Sequence, residues 1–221
     1  MPFRFTAEDF ERYVKMDEHG GRHLWHDLQD GLQEEFGVPF SNAPYVARGD
    51  RLQTMWFAPK GTPRPKWDNQ AQFYLARSID KRTLSFGLVI ECPTTSDVAQ
   101  YGYDPDLDAA RLVELLGKNA DFVTQFEALT TDPRWSSGVS EWGKQEYTPA
   151  DCAELLDLLK RFPPEQGWDA WVGRTLSAEE AIAAGDGIVN EIMEGYRAVH
   201  PLWKAVIPES VRTFLATGQV K

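Results

Sequence analysis

The chain has 221 residues, of which 42% are hydrophobic and 26% charged, and its net charge is −11. This balance is typical of a folded protein of one domain and excludes a disordered chain. The acidic total argues against general, non-specific binding to nucleic acid or to an anionic membrane, although a local basic site stays compatible with it.

The first part of the chain predicts two helices. Thr6 is the N-cap of the first, with acidic residues in its first turn, and the pair Gly20-Gly21 breaks it. In the second, apolar residues recur at i+4 steps and Gly37 ends the helix. The apolar residues of that second helix are Leu24, Leu28, Leu32 and Phe36. Residues 38–50, rich in Pro, Asn, Ala and Gly, predict a loop.

The middle of the chain predicts three strands. They cover Leu52–Ala58, Gln70–Ile79 and Leu84–Cys92, with a proline-rich loop over 59–69 and a hairpin turn over 80–83. In the last strand Leu84, Phe86, Leu88 and Ile90 alternate, which places them on one buried face.

The second half of the chain predicts mainly helices. Capping signals for them stand at Asp104, Asn119, Asp151 and Ser177. The capping box at Ser177 opens the longest helix, which Pro201 is expected to stop near Val199, and a short helix is expected over 208–217. Residues 130–147 predict a loop or a short strand pair, and 167–175 a short edge strand.

This order of elements indicates an α+β fold. We expect a central antiparallel meander over about residues 52–92, packed by N- and C-terminal helices. The whole chain, 1–221, is expected to form a single domain with a helical C-terminal subregion over 104–221. Strands and helices do not alternate in the βαβ manner, so a doubly wound nucleotide-binding sheet is not predicted.

The termini and the cysteines indicate a soluble, cytoplasmic protein. The N-terminus lacks a signal peptide pattern, and no stretch approaches the ~18 apolar residues of a membrane span. The only cysteines, Cys92 and Cys152, lie in apolar surroundings and are too few for a disulfide scaffold. We expect both thiols to be reduced and buried, and we expect no contact with a membrane.

Positive charge collects in the segment Arg48–Arg82. It holds eight basic and three acidic residues, a net charge of +5, so that the remaining 186 residues carry −16. Its aromatic residues are Trp56, Phe57, Trp67, Phe73 and Tyr74. Cations attract phosphates, and rings offer faces for bases. The residues predicted to bind a nucleic acid or another phosphate-bearing ligand are Lys60, Arg64, Lys66, Trp67, Arg77, Lys81 and Arg82.

A competing interpretation is that these cations pair with acidic helices around the sheet and that the rings belong to the core. The loop from Lys60 to Trp67 is the part that this interpretation explains least. Its prolines hold it extended, and its cations have no partners on a helix of their own.

Three histidines, His19, His23 and His26, are weak candidates for metal ligands. His23 and His26 share a helix face, but His19 precedes the glycine break, and the only other histidine is His200. We therefore predict no metal site and no cofactor.

The sequence predicts no catalytic residue. Glu91 ends a strand as a nuclease acid would, but the run Glu91-Cys92-Pro93 lacks the lysine that such a nuclease needs to activate water. Neither cysteine has a histidine nearby to act as base. Glycine-rich phosphate loops and the G-x-S-x-G motif are also absent from the sequence.

Two stretches, Phe73–Glu91 (FYLARSIDKRTLSFGLVIE) and Trp168–Trp203, carry a resemblance that covers about a quarter of the chain. Together they resemble poorly characterised bacterial domains associated with McrB-like restriction ATPases. The resemblance implies a module that senses modified or foreign DNA and acts with a separate motor, as a defence or restriction accessory protein. No diagnostic motif accompanies it, and this chain has no ATPase motif of its own.

Three functional hypotheses follow. The first is a non-enzymatic binding module that contacts nucleic acid or another phosphate-bearing ligand through the basic, aromatic hairpin region. The second is a scaffold or regulatory subunit whose acidic helices meet a basic partner protein. The third is an enzyme with a dispersed site centred on Glu91 and the tryptophans of the run Gly167–Gly173.

Overall fold

A computed structural model of the chain describes residues 3–12, 24–47, 52–62, 71–101, 108–141, 146–162 and 167–217. The helices are α1 (Leu24–Phe36), α2 (Thr95–Tyr101), α3 (Asp108–Lys118), α4 (Ala120–Thr130), α5 (Cys152–Arg161), α6 (Ala178–Ala183), α7 (Ile188–Val206) and α8 (Glu209–Thr217). The strands are β1 (Phe40–Ala47), β2 (Leu52–Pro59), β3 (Ala71–Ser78), β4 (Thr83–Cys92), β5 (Trp135–Glu141), β6 (Glu146–Tyr147) and β7 (Trp168–Ser177). Short 3-10 turns cover Ala7–Phe10 and Gly185–Gly187.

The strands form one antiparallel sheet in the order β1-β2-β3-β4-β7-β5-β6. The expected α+β class and the antiparallel meander of β2, β3 and β4 are confirmed. In the pairing of β2 with β3, Leu52 lies opposite Ser78 and Phe57 opposite Phe73. The start of β2 therefore lies beside the end of β3, and the end of β2 lies beside the start of β3, at the opposite end of the strand pair.

The backbone divides into two compact units, each assembled from three segments. The first holds Met1–Lys60, Phe73–Gly87 and Arg174–Ala198, and the second holds Gly61–Gln72, Leu88–Gly173 and Val199–Lys221.

The core of the first unit is aromatic. The rings of Phe57 and Phe73, on neighbouring strands, both lie near the ring of Tyr196 from α7. Phe36, at the end of α1, stacks on Phe73. The Tyr196 hydroxyl donates a hydrogen bond of 3.2 Å to the Tyr74 carbonyl, so the polar end of this buried side chain is satisfied.

The core of the second unit lies between one face of its strands and the helices α3, α4 and α5. Leu88 and Ile90 of β4 point to that face, as do the alternate residues Ala170 and Val172 of β7. Leu112, Phe122 and Leu155 are among the helix residues that close on them. The opposite face of these strands carries the odd-numbered residues, several of which are only half-buried.

Several predicted helix starts are confirmed by their caps. The Asn119 side chain accepts a 3.0 Å hydrogen bond from the Phe122 amide. Asp151 accepts one of 2.8 Å from the Glu154 amide. At Ser177 the capping box is complete. α1 also begins at Leu24 and ends before Gly37, which has a φ of +73°.

Two loop or edge predictions are wrong. The expected loop over 38–50 contains the strand β1, which pairs with β2 at an outer position of the sheet, where a proline such as Pro44 is tolerated. The expected edge strand over 167–175 is the interior strand β7, placed between β4 and β5. The strands β5, β6 and β7 all fall within 104–221, beside the helices α3, α4, α5, α6, α7 and α8 of that region.

Two helix predictions also fail. Within residues 3–12, the chain after the N-cap Thr6 makes the 3-10 turn Ala7–Phe10 in place of an α-helix, and residues 13–23 lie outside the described residues. The long helix expected from Ser177 is interrupted at Gly185, where φ is +52°, so α6 is short and α7 begins at Ile188. Pro201 does not stop α7, which continues to Val206 with Pro201 on its exposed side.

Within the described part of the chain, no helix combines the length and the apolar character that a membrane span requires. Cys152 is buried, Cys92 is half-buried, and both are free thiols.

Candidate functional site

Lys60 is an exposed cation at the end of β2. Its backbone N–H donates a 2.8 Å hydrogen bond to the Pro39 carbonyl, which fixes the point where the chain leaves the sheet. Gly61 follows with a φ of +74°, a conformation that favours glycine. Among the described residues, no carboxylate pairs with the Lys60 ammonium group. The start of the predicted binding loop is therefore fixed and accessible.

Lys81 and Arg82 lie at the other end of the strands from Lys60. They belong to the turn that follows Ser78, and Ser78 is opposite Leu52, whereas Lys60 comes after the last residue of β2. Since a strand rises about 3.3 Å per residue, the eight residues from Leu52 to Lys60 separate the two positions by about 26 Å. The structure thus splits the predicted basic hairpin surface into two separate places.

Arg82 is engaged with acidic neighbours. Its guanidinium lies 3.2 Å from the Glu179 carboxylate and 3.9 Å from that of Glu11, all three side chains being largely exposed. The Arg82 carbonyl also accepts a 2.8 Å hydrogen bond from Ala178. The competing interpretation, that basic residues pair with acidic helices, is confirmed for this residue.

The structure corrects the ligand-binding role that the sequence predicts for Arg77. Its side chain is wholly buried, with its guanidinium 3.4 Å from the equally buried Asp9 carboxylate and hydrogen-bonded to the side chain of Gln53. By alternation along the strand, Arg77 shares the buried face of β3 with Phe73 and Leu75. That position makes it a core residue. The prediction that Arg77 contacts a nucleic acid at the surface is therefore wrong.

Most described rings of the segment also belong to the core. Phe57 and Phe73 are fully buried and Tyr74 nearly so, while Trp56 is half-buried. Arg64, Lys66 and Trp67 lie outside the described residues, as do His19 and His23. His26 is exposed on α1 beside Trp25. Among the described residues there is no group of three or more side chains placed to hold a metal ion.

A second candidate site stands on the half-buried face of the second unit. Glu91 of β4 and Asp169 of β7 are both half-buried there, and Gln72 of β3 donates a 3.4 Å hydrogen bond to Glu91. The register of β4 with β7 is fixed by Ser85 and Thr175, whose hydroxyls are 2.9 Å apart. Further along the same two strands, Asp169 lies close enough to Glu91 for its negative charge to act on the Glu91 carboxyl.

This pairing changes the acid–base properties of Glu91. Burial raises the pKa of Glu91 to about 8, and the negative charge of Asp169 adds to the rise. The same two causes raise the pKa of the neighbouring Cys92 thiol to about 11. Glu91 is therefore mostly protonated at neutral pH. The sequence offers Glu91 as a nuclease-type acid or as the centre of a dispersed enzyme site, but nothing in the local sequence reveals that Asp169 lies beside it.

The two tryptophans of β7 have different roles. Trp168 is buried among core residues, whereas Trp171 is half-buried and, by alternation, shares its face with Asp169. The indole of Trp171 lies over Gly138 of β5, so closely that a Cβ at residue 138 would be 2.4 Å from the ring. Glycine at position 138 is what allows the indole to approach the neighbouring strand this closely.

The first unit carries an acidic groove of about 670 Å³. Gly31 and Met193 are among its lining residues, and Arg197 is the only cation among the described residues that line it. The groove's carboxylates are Asp27, Asp30, Glu34, Glu35 and Asp186. Arg197 already pairs with Glu35, at 2.8 Å.

Comparisons with known proteins do not add to this picture. No family model matches the chain, and the search of curated proteins finds no significant match.

Proposed function

We propose that this chain is a non-enzymatic binding module that contacts a nucleic acid or another phosphate-bearing ligand through the loop that begins at Lys60. The observation that carries the proposal is the position of Lys60, exposed at the fixed start of that loop and without an acidic partner among the described residues. Arg64, Lys66 and Trp67 follow within seven residues of it.

The proposed ligand-binding surface holds fewer basic residues than the sequence alone predicts. Arg77 is removed from the ligand-binding set by burial, and Arg82 is occupied by Glu179 and Glu11. Lys81 remains exposed, but about 26 Å away. The proposed surface is therefore the segment that begins at Lys60, in which three cations neutralise phosphates and Trp67 supplies a ring for stacking. A restriction-accessory role is the biological setting that the family resemblance implies.

Fluorescence anisotropy with labelled single- and double-stranded DNA and RNA tests the proposal. The triple variant Lys60→Ala/Arg64→Ala/Lys66→Ala is expected to lose most of the affinity measured at low salt. A matched control removes three exposed lysines from helices, Lys118→Ala/Lys160→Ala/Lys204→Ala, and is expected to retain it. If the unsubstituted chain binds none of these nucleic acids at low salt, and binds no phosphorylated ligand, the proposal fails.

A second candidate function is that of a regulatory or scaffold subunit. The acidic groove of the first unit favours it, because five carboxylates and one arginine line a concave surface that suits a basic protein segment. Pull-down from the native host with the variant Asp27→Asn/Asp30→Asn/Glu34→Gln distinguishes the two functions. A partner lost from this variant but kept by the loop variant supports the second function; the reverse supports the first.

A further inference from the structure

We propose that Phe214 of α8 is a positioning residue for the loop that begins at Lys60, because its ring holds the turn at Gly61. Gly61 and Phe214 both belong to the second unit. The part that Phe214 plays in ligand binding rests on the proposed function of the loop, whereas its contact with Gly61 can be measured without a ligand. Phe214 acts through Gly61 and does not itself contact the ligand.

The ring of Phe214 lies against the most permissive position of the turn. Gly61 has a φ of +74°, in the left-handed region that glycine adopts without strain. A Cβ built on Gly61 would lie 3.4 Å from Cζ of the Phe214 ring. Apart from the chain neighbours of Gly61, no other atom of the described residues comes within 4 Å of that Cβ position. The Phe214 ring therefore supplies the side-chain contact that limits rotation of this turn.

Helix α8 is anchored to the C-terminal end of α7, so the Phe214 ring has a fixed support. The Arg212 guanidinium donates hydrogen bonds of 3.0 to 3.3 Å to three backbone carbonyls at that end. The carbonyls are those of Lys204, Ala205 and Ile207. Because the last carbonyls of a helix have no partner within the helix, the arginine both satisfies them and orients α8.

The hydrophobic attachment of α8 does not depend on Phe214. Val211, three residues earlier on the same face of the helix, is buried, whereas Phe214 is half-buried. Phe214→Ala is therefore expected to leave the fold intact while it frees the turn at Gly61. This separates a positioning role of Phe214 from a role in the core.

A turn that is held before binding favours the complex, because the ligand does not have to order it. Fixing the backbone of one residue corresponds to roughly 5- to 30-fold in an equilibrium constant. Phe214→Ala is therefore expected to weaken the binding of labelled DNA or RNA about tenfold. The slope of log affinity against log salt should not change, because the variant retains every cation that neutralises a phosphate.

Gly61→Ala tests whether Phe214 acts through the turn. An alanine Cβ fits at 3.4 Å from the ring, but a φ of +74° is strained for alanine. While the ring holds the turn, Gly61→Ala is expected to change the affinity by at most about twofold. Without the ring, alanine relaxes to a negative φ, so the same substitution made in Phe214→Ala should weaken binding about tenfold further. An equal effect of Gly61→Ala in both backgrounds overturns the proposal.

Two further variants complete the series. Leu215→Ala removes the neighbouring half-buried side chain of α8, which does not lie within 4 Å of the Gly61 Cβ position, and is expected to retain full affinity. Phe214→Met keeps a long apolar side chain that adapts to the space of the ring, and is expected to restore most of the affinity that Phe214→Ala loses.

Backbone dynamics of the full chain give the readout that needs no ligand. The heteronuclear amide NOE of Gly61 is expected to fall in Phe214→Ala and to stay unchanged in Leu215→Ala. If the unsubstituted chain binds a nucleic acid and Phe214→Ala binds it equally tightly, the positioning role is overturned while the proposed function stands. If the unsubstituted chain binds no phosphate-bearing ligand, the proposed function fails and the NOE alone decides. A fall then supports the contact of Phe214 with the turn, and an unchanged value overturns it.

Discussion

Arg77 and Asp9 form an ion pair in which neither side chain reaches solvent. The guanidinium and the carboxylate are 3.4 Å apart, and Arg77 donates a further hydrogen bond to the side-chain oxygen of Gln53. The same carboxylate accepts hydrogen bonds from the backbone N–H and the hydroxyl of Thr6, at 2.7 and 2.9 Å. One buried arginine therefore fastens the N-terminal 3-10 turn to the middle of the sheet.

Removing one member of this pair is expected to destabilise the protein strongly. Arg77→Ala leaves the Asp9 charge buried without its partner, and the free energy of unfolding is expected to fall by about 3–5 kcal/mol. Urea denaturation measures the change. Arg4→Ala, which removes an exposed ion pair with Asp186, is the control and should cost at most about 1 kcal/mol. Equal effects of the two substitutions would contradict the buried role of Arg77.

Gly195 is expected to be irreplaceable although it lies inside α7. A Cβ at this position would be 2.4 Å from the buried ring of Phe86, so Gly195→Ala forces the helix away from the sheet. We expect a loss of about 1–3 kcal/mol in thermal or urea unfolding, despite the better helix propensity of alanine. Gly187→Ala is the matched control, since nothing lies within 4 Å of its Cβ. A stabilising effect of Gly195→Ala would show that the close approach does not exist.

Stability is expected to depend on pH through Glu91. Its pKa of about 8 in the folded state exceeds the value of about 4.3 expected when unfolded, so the folded state holds the extra proton between these limits. The contribution of Glu91 is therefore complete below about pH 4 and is lost as the pH rises to about 8, by at most ~1.4 kcal/mol per pH unit. Urea denaturation of Glu91→Gln over this range should give a flatter profile. An unchanged profile would exclude a raised pKa of Glu91.

Both thiols are expected to react slowly with alkylating reagents. Burial raises the pKa of both Cys92 and Cys152 to about 11, and the thiolate is the reactive form. Reaction with iodoacetamide at neutral pH should be slow even at the half-exposed Cys92 and should accelerate about tenfold per pH unit below pH 11. Mass spectrometry of the Cys92→Ser and Cys152→Ser variants separates the two rates. Rapid modification of Cys92 in the folded protein at neutral pH would contradict this expectation.

Local signals predicted much of the secondary structure, and long-range pairing explains most of what they missed. Asn119, Asp151 and Ser177 are caps whose hydrogen bonds involve residues three positions away, so sequence alone suffices for them. The interior position of β7 depends instead on its pairing with β4, about 90 residues earlier in the chain. Pro201 was expected to end a helix, but packing of its neighbours Leu202 and Trp203 carries α7 past it.

The candidate sites likewise combine features that the local sequence predicts with features that depend on residues far apart in the chain. Charge in the segment 48–82 is visible in the sequence, but the burial of Arg77 follows from its partner Asp9, 68 residues away. The alternation of residues in β3 predicts that Arg77 lies with Phe73 and Leu75 on the buried face. The charge of Arg77 predicts the opposite, a position at the surface. The proximity of Glu91 and Asp169 has no local signal, because it depends on the register of two strands that are far apart in the chain.

The salt dependence of nucleic-acid binding tests the proposed function most directly. Three phosphate contacts from Lys60, Arg64 and Lys66 predict a slope of log affinity against log salt near −2.7 for duplex DNA, or about −2 for a single strand. The variant lacking all three cations should bind weakly, with a slope close to zero. If the unsubstituted chain and the triple variant give the same affinity and the same slope, the loop at Lys60 is not the ligand-binding surface.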